Sequence, residues 1–198
     1  GKTGVAGSVA VNIAFTDSEV YAGYTDESNV VHAPAVTITG GGDVTLKADA
    51  DVTNTAKALP TAGGGQGSKV GVGISVAVNY GENTTFAEIG DGASITGAHD
   101  LSLDASLGKE METEARTGAT GAPAITPVVA VAITANDVDA TIGTGSQLTI
   151  GGDLDAQASL TDQLSTTAEG DTESSDTGVG ISVAVAVSRA RIARNARR

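Results

Sequence analysis

Apolar and polar positions alternate along most of the chain. Val9, Val11 and Ile13 alternate with Ala10 and Asn12, Val44 and Leu46 with Thr45 and Lys47, and Leu101 and Leu103 with Ser102 and Asp104. A period of two places successive side chains on opposite faces of a strand. The pattern therefore predicts strands with the larger side chain turned in and the small or polar one turned out. Gly-Gly, Gly-Asp and Asp-Gly pairs between the runs supply turn conformations. No stretch of the body carries a capped apolar stripe at helical spacing, so few helices are expected. The Arg-rich end is the one place where a helical turn is expected.

The pattern repeats. Gly7-Ser8-Val9-Ala10-Val11-Asn12 returns as Gly73-Ile74-Ser75-Val76-Ala77-Val78-Asn79, as Val128-Val129-Ala130-Val131-Ala132-Ile133 and as Gly180-Ile181-Ser182-Val183-Ala184-Val185-Ala186. The anchors Val9, Val76, Val129 and Val183 lie 67, 53 and 54 residues apart. A second phrase, Ala87–Thr96, returns as Ala140–Thr149; a third surrounds Asp43, Asp100 and Asp153. The first module holds about ten extra residues, placed most simply in the loop Tyr24–Pro34. The expected organisation is a repeat array over 1–188, with modules at about 4–67, 68–121 and 122–176 and a partial one at 177–188. Residues 189–198 are expected to be a basic tail, disordered or truncated.

Repeats of this kind suit an all-β, right-handed parallel β-helix (a β-solenoid) built from units of about 53 residues. A module of that size is short for an independent sandwich without disulfides, because it buries too little surface alone. Stacked coils escape this limit, since each covers its neighbour. The four anchor valines are expected at equivalent interior positions.

Composition agrees with a thin structure. The sequence has 32 Ala and 27 Gly among 198 residues, 21 Val against 9 Leu, and five aromatics. It contains no Cys, which excludes a disulfide scaffold, a Cys-ligated metal site and a thiol nucleophile. The net charge of −13 disfavours nucleic acid and anionic membranes as partners. No apolar run reaches the roughly 18 residues of a membrane-spanning helix, so direct membrane insertion is not expected. The opening Gly1-Lys2-Thr3 already lies in patterned sequence, and the chain reads as a fragment of a longer one.

The phrases Gly71–Asn79, Ala87–Thr96 and Asp100–Ala105, with their copies across residues 4–188, resemble the repeats of filamentous-haemagglutinin-like, autotransporter-type exported adhesins of Gram-negative bacteria. The resemblance implies a β-solenoid stalk, secreted or held at the outer-membrane surface, with roles in attachment or biofilm. Its partners would be host or neighbouring-cell surface molecules reached through the longer protein. It brings no catalytic residues. Two alternatives stand beside it: a β-helix polysaccharide lyase or hydrolase, and tandem calcium-binding β-sandwich adhesion modules.

Candidate chemistry is sparse. No G-x-S-x-G, H-E-x-x-H or P-loop motif occurs, and no catalytic residue is assigned. Asp43, Asp100 and Asp153 recur in register and are the calcium candidates, although calcium wants six to eight oxygens and the nonapeptide motif is absent. The competing explanation is an Asp side chain bonding backbone N–H groups at a turn. His99 stands where other modules have Gly42 and Gly152, as a solvated turn residue. The stretch Lys109–Arg116 is expected to be a solvated, charge-alternating strand face. Tyr24, Asp26, Glu27 and His32 of the inserted loop are the candidate partner-binding residues, because solenoid insertions often carry binding.

Overall fold

The computed structural model describes residues 1–25, 30–60 and 64–196. Its strands are β1 (Thr3–Ala22), β2 (Tyr24–Thr25), β3 (Val31–His32), β4 (Ala35–Thr37), β5 (Val44–Ala58), β6 (Gly65–Gln66) and β7 (Val70–Ile89). There follow β8 (Ser94–Ala98), β9 (Leu101–Gly121), β10 (Ala124–Ile142), β11 (Gln147–Ile150), β12 (Leu154–Ser174) and β13 (Gly178–Ala196). No α-helix occurs among the described residues.

Three parallel sheets take up these strands in turn. The first has the order β1-β7-β10-β13, the second β4-β8-β11, and the third β5-β9-β12, with β6 also pairing β9. The chain visits a long strand, a short strand and a long strand, then begins again beside its own first strand. Registers join the recurring phrases: Val9 pairs Val76, Val129 pairs both Val76 and Val183, Leu148 pairs Ile95, and Leu103 pairs Leu46 and Ala156. The architecture is all-β with parallel sheets, consistent with a β-solenoid. The added residues of the first module include the antiparallel pair β2–β3, in which Tyr24 faces His32.

The two long sheets face each other across an interior that narrows from one end to the other. At the wide end, beside the short sheet, Ile89, Ile95, Leu101, Leu103, Leu107 and Val138 form the main apolar core with Leu46 and Ile142. Farther along, only Ala58, Ala77, Ala115, Val128 and Ala130 fit. At the narrow end, glycines let backbones touch: a Cβ on Gly73 would overlap the Gly118 carbonyl, and one on Gly71 the Thr120 carbonyl. The two ends of β7 follow this taper, from Gly71 and Gly73 to Ile89.

The taper corrects the expected orientation of the first strand of each module. The anchor valines point outward, not inward: Val9 is 73 % exposed and Val183 43 %, and Val76 and Val129 are half-buried. The inward positions of β7 are Gly71, Gly73, Ser75, Ala77 and Asn79, all buried. At Gly71 and Gly73 the opposite backbone leaves no room for a valine. In the third sheet the expected sense holds, with Leu46, Leu101 and Leu103 buried.

Two further expectations change. The basic end is no helical turn, because Arg189–Ala196 continue β13 and pair with Ala135–Ile142. Within Lys109–Arg116, Glu110 and Arg116 are exposed and Glu112 and Glu114 are partly so, but Lys109 lies inside at 3 % exposure. It shares the inward parity of Met111, Thr113 and Ala115.

A polar layer crosses the middle of the interior. Asn12 donates to Asn79 Oδ1 (3.0 Å), and Asn79 donates to the Asn54 and Glu112 carbonyls (3.1 and 3.0 Å). Asn83 donates to Asn136 (2.7 Å), which donates to Asp162 (3.1 Å). The Lys109 ammonium lies where the Asn54 side-chain oxygen can accept from it. Burial lowers the Lys109 pKa, opposed by the Asp162 charge.

Candidate functional site

The outer face of the first sheet is the most distinctive surface among the described residues. Because small side chains occupy the narrow interior, the β-branched residues of the same strands are turned to solvent. Parallel in-register pairing then stacks like on like. The ladders Val9–Val76–Val129–Val183, Val11–Val78–Val131–Val185 and Ile13–Tyr80–Ile133–Val187 run across all four strands. Val5, Ile74, Ile125 and Ile181 extend the same exposed patch toward the narrow end.

Beyond Ile13 the same face becomes acidic. Asp17 and Glu19 of β1, Glu82 and Glu88 of β7, and Asp137 and Asp139 of β10 share its outward parity. Arg191 of β13 lies over Asp137 and Asp139, donating at 3.0 and 2.8 Å. Asp139 is only 7 % exposed. Burial, then the Asp137 charge, raises its pKa against the opposing pull of Arg191. The Glu88 carboxyl is also raised, by burial first and then by Asp91, Asp139 and Glu19. Contact with these carboxylates holds the Arg191 guanidinium above its ordinary value. The basic end is thus tied back onto the sheet through Arg191.

The calcium candidates lie at the turn before the third sheet. Asp43 Oδ1 accepts from the Asp100 backbone N–H (3.2 Å), and Asp100 Oδ1 accepts from that of Asp153 (2.8 Å). Each carboxylate bonds the backbone of the neighbouring module, which accounts for the recurrence of Asp there. The bonded N–H belongs to the next layer, not to the same turn. His99 Nδ1 sits 3.4 Å from Asp43 and 3.0 Å from Asp100, so donor atoms of Asp43, His99 and Asp100 converge. Asp153 is outside that group. Asp91 does a similar job at another corner, accepting from the Thr144 backbone N–H (2.6 Å) and hydroxyl (2.9 Å).

Of the loop candidates, Tyr24 and His32 stack face to face with ring centres 4.7 Å apart. Asp26 and Glu27 lie outside the described residues. Tyr21 approaches Tyr24 at 6.4 Å, and its hydroxyl is shifted to a strongly raised pKa by burial and by Glu19.

No family model, curated protein or solved structure matches the chain.

Sequence reasoning missed the apolar outer face and the buried Lys109. Both were signalled by parity: Gly71, Gly73, Ser75, Ala77, Asn79 and Gly81 are all small, and Lys109 falls in step with Met111 and Ala115.

Proposed function

We propose that the chain is a right-handed parallel β-helix with repeats of about 53 residues, acting as a non-enzymatic structural segment of a large exported Gram-negative surface adhesin. In this reading it is secreted or held at the cell surface and supports attachment or biofilm. Its partners are surface molecules of host or neighbouring cells, engaged through the longer protein. The observation that carries the proposal is that three separate phrases each pair in register with their own copies. Turn carboxylates serve to join neighbouring layers.

The geometry favours breadth over reach. A strand of 20 residues spans roughly 65 Å, whereas each added circuit advances the stack by only about 4.8 Å. A segment built this way offers wide, flat, repetitive faces at a slow gain in length.

The rival reading is a polysaccharide-active enzyme, for which the Glu88, Asp91, Asp139 and Arg191 group is the best starting point. Two measurements separate them. The purified chain is screened against acidic and neutral polysaccharides, and a version carrying three extra in-frame copies of residues 68–121 is measured by small-angle scattering. The structural reading expects no turnover and a stack longer by about 14 Å. Turnover abolished by Glu88→Gln or Asp139→Asn overturns it.

A further inference from the structure

The apolar zone around Val9, Val76, Val129 and Val183 is a flat lattice of β-branched side chains facing solvent. Four strands about 4.8 Å apart and nine residues at about 3.3 Å give a footprint of roughly 550 Å², at the top of the range for patches on monomers. Within the same sheet the acidic zone begins after Ile13, with Asp17 and Glu19 on β1 and Glu82 on β7. The apolar zone therefore lies to one side of the face.

We propose that a second copy of this chain docks on this face, related by a two-fold axis running along the stacking direction through the Val9–Val76–Val129–Val183 ladder. Two observations favour a copy of the chain as the occupant. A lattice of fixed strand and residue spacing matches itself, so side chains of one copy seat between those of the other, as in stacked sheets about 10 Å apart. Rotation about that ladder lays apolar zone on apolar zone and sends the two acidic zones to opposite ends.

The area is also sufficient. Two such footprints together remove about 1,100 Å² from water, just above the roughly 1,000 Å² that specific association requires. The net charge of −13 opposes association through the remaining surface. Because the axis runs along the stack, each layer faces the same layer of its partner, and Val76 meets Val76.

The chain has no cysteine, so an introduced one is the only thiol. The experiment combines sedimentation equilibrium with oxidative cross-linking of Val76→Cys and, as a control in the acidic zone, Glu82→Cys. The expected result is a reversible dimer for the unmodified chain and rapid covalent dimer formation by Val76→Cys but not by Glu82→Cys. The double variant Val76→Lys, Val129→Lys should dissociate at least tenfold more readily while keeping its strand spectrum. Should that variant fail to fold, the cysteine pair decides alone. The proposal is overturned by an unmodified chain that stays monomeric at its highest soluble concentration, or by equal cross-linking at both positions. A dimer that persists in the folded lysine variant and leaves Val76→Cys unlinked also overturns it, and assigns association to strand edges.

Discussion

Replacing Gly73 by Ala tests the taper at its narrow end. The new Cβ would stand 2.6 Å from Thr117 Oγ1 and closer still to the Gly118 carbonyl, both on the opposite sheet. Ordinary contact begins near 3.4 Å, so β7 and β9 would have to part locally by about 1 Å. Neither strand moves alone, because at this level β7 is paired with β1 and β9 with β12. Overpacking of this kind costs about 1–3 kcal/mol, and the upper half of that range is expected where the obstruction is backbone. For a chain of this size, about 2–3 kcal/mol corresponds to a fall of roughly 4–12 °C in Tm. Gly42→Ala provides the control, because its Cβ meets nothing within 4 Å and the residue does not adopt a positive φ. Thermal unfolding of both variants, followed by circular dichroism, gives the answer. If Gly73→Ala melts within a degree or so of Gly42→Ala, the two long sheets are not in contact there and the taper is wrong.

Parity can be tested one residue apart: Ala130→Asp should abolish folding, since it buries an unpaired carboxylate, whereas the neighbouring outward substitution Val131→Asp should leave a folded chain by circular dichroism. Replacing Asp100 by Ala removes the acceptor for the Asp153 N–H and should cost about 0.5–1.5 kcal/mol in urea unfolding; Asp100→Asn should recover most of that, and calcium should leave the midpoint of the unmodified chain unchanged. Glu88 has a raised pKa in the folded chain, so its contribution is full below the ordinary carboxylate value and lost as pH rises through the raised one. Stability should therefore fall as pH rises above the ordinary carboxylate range, and Glu88→Gln should flatten that slope in a pH series of melts.

Much of the fold was legible because repetition constrains pairing. Once Val9, Val76, Val129 and Val183 were aligned, parallel strands in that register followed, and the structure pairs them so. The face was misread because alternation alone does not say which parity is inside. The usual rule assigns the larger apolar residue to the core, but the separation of the two long sheets is set by glycine contacts at one end. Where the gap is narrowest, Gly71 and Gly73 leave no room for a side chain, and farther in Ser75, Ala77 and Asn79 fill the β7 side. Where it widens, Ile89 and Leu101 obey the rule again. The Arg-rich end was misread for a related reason. Its charges suggested a break in the pattern, yet Ala190 and Ile192 keep the alternation and Arg191 finds Asp137 in register. The turn carboxylates were half legible, since the partner N–H lies a whole module away.

The direction of the hydrogen bonds between successive layers has a mechanical consequence. In parallel sheets these bonds run across the strands, along the direction in which the layers pile up. A load spread over whole layers would strain every bond between two of them at once. A load applied to the ends of the polypeptide would instead meet them one after another, peeling β1 from β7 or β13 from β10. The same molecule would thus be stiff when gripped by its faces and weak when pulled by its termini. Whether tension in service peels a layer or loads it whole would depend on where the neighbouring parts hold it.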